Sequence, residues 1–198
     1  MKLEFIEFNL ENFHLHEADI MSSEEIFPEE IRETPENYLN ALNQEGAIGL
    51  IARSDSDYVG NILGFTPSGQ FHSALRMDEI PTGTKDLIYL YNIVTMPQFQ
   101  SKGHGKKLLD FFIKKSARSG FGKVGGHFRN NGSLKNFKNM GGGEVATFKD
   151  WFGTGEDYIY CELPLSPDSC HSMPRRPEVI KRELEIASLI HSHLPSPA

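Results

Sequence analysis

Apolar residues recur with a period near two in some stretches and near 3.6 in others, and the switches lay out alternating strands and helices. In MKLEFIEF, Leu3 and Phe5, then Ile6 or Phe8, alternate with charges, which predicts a half-buried strand over 1–8. Residues 11–31 are acidic and broken by Pro28; a helix is expected over 18–31. Thr34-Pro35-Glu36 offers an N-cap, a proline at the first helical position and an acid in the first turn. The helix it opens carries Tyr38, Leu39 and Leu42 and stops near Gly46. AIGLIAR (47–53) and YVGNILGF (58–65) read as a hairpin around Ser54-Asp55-Ser56-Asp57. Residues 66–85 look irregular, with Pro67, Gly69, Pro81 and Gly83; His72 among them reads as a surface residue without an evident partner.

The second half follows the same logic. A β-rich run, DLIYLYNIVTM (86–96), predicts a fourth strand over 87–95, with Tyr89 and Tyr91 on one face and Asn92 on the other. A helix is expected over 104–118, with Leu108, Leu109, Phe112 and Ser116 on one face. Lys106, Lys107, Asp110, Lys114 and Lys115 lie mostly opposite, and Ser119-Gly120 ends the helix. Closing strands are expected over 147–151 and 157–164. In the last, Tyr158, Tyr160 and Glu162 alternate with Ile159, Cys161 and Leu163 as if one face were wet. Beyond Leu165 the tract SPDSCHSMPRRP reads as a linker, followed by a helix over 177–194 with Ile180, Leu184, Ala187 and Leu194 on one stripe. The expected division is a domain over 1–165 and an extension over 166–198 that docks on it or mediates a homodimer.

Gln100-Ser101-Lys102-Gly103-His104-Gly105 joins the fourth strand, closed by Pro97, to the helix over 104–118. Glycine lets backbone approach a ligand, and the first N–H groups of a helix have no internal partner and carry the positive end of its dipole. Lys102, Lys106 and Lys107 add positive charge, so the stretch suits a phosphate-bearing ligand. A lone G-x-G is also an ordinary tight turn. Neither the G-K-[ST] of a P-loop nor a third dinucleotide-binding glycine is present.

At 198 residues, 38% hydrophobic and 24% charged, the chain suits one globular domain with residues to spare. A net charge of −7 without a basic face argues weakly against nucleic acid; it suits a cationic acceptor such as an amine, though such charge more often serves solubility alone. Glu24, Glu25, Glu29, Glu30, Glu33 and Glu36 read as a solvated helix face, or else as one side of a cationic-substrate site. Cys161 and Cys170 lack metal-ligand spacing and read as reduced thiols, with a disulfide across a short loop as the alternative. His191 and His193, two apart on a helix, do not share a face, so no metal is expected. With no signal segment and no membrane-length apolar run, a cytoplasmic protein away from membranes is expected.

The stretch Thr95-Met96-Pro97-Gln98-Phe99-Gln100-Ser101-Lys102-Gly103-His104-Gly105 resembles the acyl-CoA-binding signature of the GNAT acetyltransferase superfamily: a strand ending V-x-P, then Q/R-x-x-G-x-G/A opening a helix. The "v-G-x-i-x-g" phrase of its third strand is similar to Val59-Gly60-Asn61-Ile62-Leu63-Gly64. Its second signature, N-x-x-A-x-x-x-Y-x-x-x-G-F, resembles Asn130, Ser133, Phe137 and Gly141 in register. The resemblance implies an α/β (α+β) fold with a mixed, mostly antiparallel sheet, splayed fourth and fifth strands and flanking helices. Only by that position does the glycine-rich GKVGGHF (122–128) qualify as the fifth strand, ahead of a helix over 133–140. It implies that acetyl-CoA is the cosubstrate. Backbone of Ile93, Val94 and Thr95 would hold the pantetheine arm and Gln100, Ser101, Lys102, Gly103, His104 and Gly105 the pyrophosphate. Asn130 would touch the CoA arm or cap the helix, and Phe137 takes the cofactor-side place of a frequent tyrosine acid.

The implied chemistry is direct transfer of an acetyl group to a primary amine of a small molecule or peptide. A largely protonated amine needs a base. The fourth strand carries no glutamate, and no glutamate occurs between Glu79 and Glu144. Glu162, His127 and Tyr160 are the remaining candidates, none singled out by the sequence. Phe137 cannot donate a proton and Gly141-Gly142-Gly143 replaces the final G-F, so a non-catalytic acyl-CoA- or partner-binding module stands as the alternative. A nucleotide-binding protein of another class is the third reading.

Overall fold

The apolar alternations become the strands of one sheet, because a period of two gives each strand an inward and an outward face. The computed structural model describes residues 2–151, 153 and 155–165. Its strands are β1 (Leu3–Phe8), β2 (Ile48–Ser54), β3 (Asp57–Phe65), β4 (Leu87–Thr95), β5 (Lys123–Phe128), β6 (Gly143–Phe148) and β7 (Tyr158–Pro164). They lie in the order β1-β2-β3-β4-β5-β7-β6, with every neighbouring pair antiparallel except β4 and β5. A parallel pair needs a long crossover, and the chain supplies it as a helix. Helices α1 (Glu17–Glu24), α2 (Pro35–Leu42) and α3 (Gly69–Ala74) cover one face; α4 (His104–Arg118) and α5 (Gly132–Asn139) cover the other.

The crossover helix α4 has the bounds its periodicity predicts. It buries Leu108, Leu109, Phe112, Ile113 and Ser116 against the sheet. Full burial of a Leu or Phe side chain stabilises by about 1.5–3 kcal/mol, so this stripe fixes α4 firmly. Ser116 is tolerated there because its hydroxyl donates to the Phe112 carbonyl at 2.9 Å. Thr34 caps α2 as expected, its Oγ1 accepting from the Asn37 N–H at 3.2 Å. The poor strand-forming composition of β5 has a packing cause. A Cβ on Gly125 would overlap the Tyr160 hydroxyl and lie 2.9 Å from Leu87 Cδ1.

Several expectations are corrected. The helix expected over 18–31 ends at Glu24, followed only by a 3-10 turn at Glu29–Ile31. Pro28 has no N–H to donate and disfavours helix in the residue before it. The irregular tract 66–85 contains α3 and a 3-10 turn, Met77–Glu79, and His72 faces Asp78 at 3.5 Å. The strand expected over 147–151 lies earlier, at Gly143–Phe148, because the chain turns at Asp150, whose φ is +40°. β7 has no wet face: Tyr158, Tyr160, Cys161 and Leu163 are all buried, since helices and loops cover both sides. The linker and helix expected beyond 165, with Cys170, His191 and His193, lie outside the described residues.

Candidate active site

β4 and β5 pair only at Leu87–Lys123, Ile88–Val124 and Tyr89–Gly125, although β4 continues to Thr95 and β5 to Phe128. The strands therefore splay and leave a gap in the middle of the sheet. On its other edge β4 stays bonded to β3, where the Met96 N–H donates to the Val59 carbonyl at 2.9 Å. Strand alternation then turns the peptide groups of Val94 toward β3 and those of Ile93 and Thr95 toward the gap. The Thr95 carbonyl is met there by Gln100 Nε2 at 2.9 Å. Gln100 thus ties the loop back onto the strand end, and Ile93 presents the open edge.

A β-bulge changes what β4 shows. Leu63 pairs with Asn92 but Gly64 pairs with Leu90, so Tyr91 is an extra residue without an opposite number. An extra residue puts two consecutive side chains on one face. Tyr91 packs with the α1–α3 side, and Asn92 bonds Glu24 on that same side, correcting the expectation that they oppose each other.

Past the gap the chain forms an exposed loop into α4. Ser101 and Gly103 both have positive φ, +59° and +78°, and Gly103 is the N-cap without any side-chain hydrogen bond. The first helical bond is Lys107 N–H to the Gly103 carbonyl at 3.1 Å, so the N–H groups of His104, Gly105 and Lys106 have no helical acceptor. Lys102 folds onto the loop, its Nζ donating to the Gln98 carbonyl at 2.8 Å, while Lys106 and Lys107 stay exposed. His104 is buried beside Phe99, and neither ring nitrogen has a partner among the described residues. Burial, then Lys107 and Lys102, hold its pKa below the usual imidazole range. Gly105 lets α4 start close to the strand: a Cβ there would come within 2.8 Å of Thr95 Oγ1. Strand edge, loop and helix start form one continuous run suited to an extended ligand with an anionic end.

The gap opens into a cleft on the α1–α3 side, lined in part by Glu33, Tyr91, Asn92, His127, Trp151 and Tyr158. Glu33 immediately precedes the α2 cap, and its carboxylate accepts from Asn37 Nδ2 at 2.9 Å. Its backbone is held by the buried Glu24. Glu24 Oε2 accepts from the Glu33 N–H at 2.9 Å, and Oε1 accepts from the Tyr38 hydroxyl at 2.8 Å and Asn92 Nδ2 at 3.0 Å. One buried carboxylate therefore locks the Glu33 segment to β4. Burial raises the pKa of Glu24 above the usual carboxylate range, and these hydrogen bonds only partly offset that. Tyr91 is held above the ordinary tyrosine range by burial first and then by Glu33. Of the six acids expected to share a solvated face or a substrate site, Glu24 is internal, Glu33 lines the cleft and Glu25, Glu29, Glu30 and Glu36 are exposed.

The three base candidates separate. His127 lines the cleft, its Nδ1 2.9 Å from the Tyr89 hydroxyl and its Nε2 buried without a partner among the described residues. Burial and, secondarily, Arg76 push its pKa down to about 3, so it is neutral at working pH. Glu162 instead pairs with Lys123 at 2.9 Å and accepts from Thr82 and Tyr160, away from the cleft lining. Tyr160 is fully buried and spends its hydroxyl on Glu162. Asn130 does not cap α5; the cap is Asn131, whose Oδ1 accepts from the N–H groups of Ser133 and Leu134. Phe137 is fully buried with its ring 4.7 Å from Phe128, and only Phe128 of the pair lines the cleft. Among the described residues no group of three potential metal ligands occurs, and no helix is long and apolar enough to cross a membrane.

Sequence reading did not single out Glu33, Asn92 or Trp151. The capping motif at Thr34 placed Glu33 at a helix start, but only packing against β4 turns that start toward the gap.

A family model described as "Acetyltransferase (GNAT) family" matches residues 12–141. Solved structures of similar fold include the NatC complex bound to Gag peptide and CoA, with 15% identity and a TM-score of 0.64 over 84% of this chain and 100% of that one. Ard1 from Thermoplasma volcanium gives 13% and 0.63, covering 84% and 99%. The ribosomal-protein-S18-alanine N-acetyltransferase from Escherichia coli gives 15% and 0.62, covering 89% and 98%. No sequence among curated proteins matches the chain.

Proposed function

Because the chain belongs to the GNAT acetyltransferase family, we propose that it is an acetyl-CoA-dependent N-acetyltransferase acting in the cytoplasm on a primary amine of a small molecule or peptide. The observation that carries this reading is the splay of β4 from β5 beyond Tyr89, continuous with the uncapped start of α4. The residues present fit the donor: the Ile93 edge would take the pantetheine amide, and the exposed loop at 100–105 with its free N–H groups would take the pyrophosphate. When bound, acetyl-CoA supplies an acetyl group activated as a thioester.

The chain's own groups serve the acceptor. Glu33 holds the ammonium at the cleft and takes the proton the nitrogen must lose, directly or through one water. Glu24 acts through it as a positioning residue, fixing the Glu33 backbone and Asn92 together. Neutral His127 and Tyr89, within hydrogen-bonding distance of each other, line the same cleft and orient the acceptor rather than exchange its proton. An ammonium loses two protons on becoming an amide nitrogen: the one Glu33 takes before attack passes on to solvent, and the second, lost as the tetrahedral adduct collapses, is matched by the one the departing thiolate takes up. A non-catalytic acyl-CoA-binding module is the second reading, motivated by Phe137, whose ring is sealed in the core and offers no proton.

Thiol release from acetyl-CoA in the presence of an amine panel tests the first reading. Glu33→Gln is expected to lower kcat/KM about 100-fold, the scale of a lost general base, with acetyl-CoA affinity unchanged by calorimetry. Release that never depends on an amine would overturn the transferase reading; a Glu33→Gln variant of full activity would remove Glu33 from the mechanism.

A further inference from the structure

The acceptor cleft is more particular than a general amine site. Its outer wall is built from three segments distant in sequence: Phe27 and Ile31 before α2, Tyr91 on the bulge of β4, and Trp151 and Tyr158 around the β6–β7 connection. Phe27, Ile31, Tyr91 and Trp151 are only half-buried, so apolar surface stays open inside a concavity, which marks a ligand wall.

Charge in the lining is equally telling. Glu33 and Arg129 are the ionised side chains among the described lining residues, and Arg129 is already paired with Glu156. Arg32, next to Glu33 in sequence, turns its guanidinium back on the Phe27 carbonyl at 2.8 Å and the Glu25 carbonyl at 3.4 Å. The site thus offers one anion for an ammonium, no spare cation for a carboxylate, and an apolar wall beside them. Burying an unpaired carboxylate there is costly, whereas burying an aliphatic or aromatic side chain is favourable.

Resting on the acetyltransferase reading, we propose that the acceptor is a primary amine whose adjacent carbon carries a bulky apolar side chain and no free carboxylate. That side chain packs against Trp151, Tyr158 and Ile31 while the ammonium sits on Glu33. The N-terminus of a peptide that begins with a large apolar residue has this chemistry, and so does a small branched or aryl-alkyl amine.

Trp151 is the single tryptophan of the chain, so its emission reports occupancy without turnover. The full chain, saturated with CoA, is titrated with leucinamide, glycinamide, free leucine and a leucine-initiated peptide amide. Leucinamide is expected to shift the emission saturably and to bind at least about tenfold tighter than glycinamide, the scale of burying one leucine side chain. Free leucine is expected to bind more weakly than leucinamide by a similar factor. A peptide tighter than leucinamide identifies a peptide acceptor; equal affinity identifies a small amine. Ile31→Ser is expected to weaken leucinamide at least threefold and leave glycinamide unchanged, with an unaltered acetyl-CoA titration as the check on folding. Equal binding of glycinamide and leucinamide, equal binding of leucine and leucinamide, or no emission change with any amine overturns the proposal. The expected binding pattern without acetyl transfer counts only against the transferase reading. Transfer without the apolar preference counts only against this one.

Discussion

Gly103 separates the cost of a backbone conformation from the worth of an anion site. Its φ is +78°, in the left-handed region, and a Cβ there meets nothing within 4 Å. Alanine and glutamate therefore pay the same conformational penalty, about 1–2 kcal/mol, and neither clashes at the first carbon. For a domain of this size that corresponds to a melting-point drop of about 2–4 °C per kcal/mol in both variants. They differ in the length of the side chain and in its charge, and only the effect of the charge is screened by salt. A carboxylate roughly 5 Å from a pyrophosphate charge costs about 1–3 kcal/mol as the effective dielectric falls from 80 toward 20. Gly103→Glu should thus bind acetyl-CoA about 10- to 100-fold more weakly than Gly103→Ala, while Gly103→Ala stays near wild type. The assay is calorimetric titration of both variants with acetyl-CoA, alongside their melting curves, at low and high salt. The gap between them should narrow at high salt, because the charge sits on an exposed loop where the Debye length governs its reach. Equal affinities of the two variants at low salt would refute the view that the start of α4 grips an anion.

Two further outcomes follow from buried groups. Glu24, with its pKa raised in the folded state by burial, contributes stability that is fully present below its unfolded pKa, near 4.5, and is lost as pH rises through the folded value. Urea denaturation from pH 4 to 7 should show wild type losing stability relative to Glu24→Gln across that window; a difference independent of pH would contradict the assignment. Phe137→Tyr adds a hydroxyl to a fully buried ring packed against Gly142 and Phe128. Overpacking and an unsatisfied hydroxyl should cost about 2 kcal/mol or more, seen as a lower melting temperature without a gain in turnover. A higher kcat would show that the ring reaches the site after all.

Much of this architecture is written locally in the chain. The bounds of α4, the Thr34 cap and the β2–β3 hairpin follow from side-chain period, capping chemistry and turn residues, each decided within a few positions. The loop at 100–105 was visible for the same reason: glycine, lysine and a helix start are near neighbours in sequence. The site on the other wall was not. Asn92 shares a face with Tyr91 only because β3 pairs with β4 one residue out of step at Gly64, and nothing within β4 announces that slip. Asn130 and Asn131 offer the same cap, and the geometry entering α5 chose the second. Glu24 and Glu33 look alike beside their exposed neighbours. The reach of Tyr38 and Asn92 from other elements buries one and turns the other to the cleft. Tyr160 and Glu162 looked free to act as bases, yet Lys123 on the next strand and Thr82 beyond it claim the carboxylate. Period and caps act over one or two helical turns, so the chain alone places α2, α4 and the β2–β3 hairpin and marks the glycine loop before α4. Which acids, amides and rings meet at the gap depends on strand register and packing between residues tens of positions apart, and that exists only once the sheet has closed.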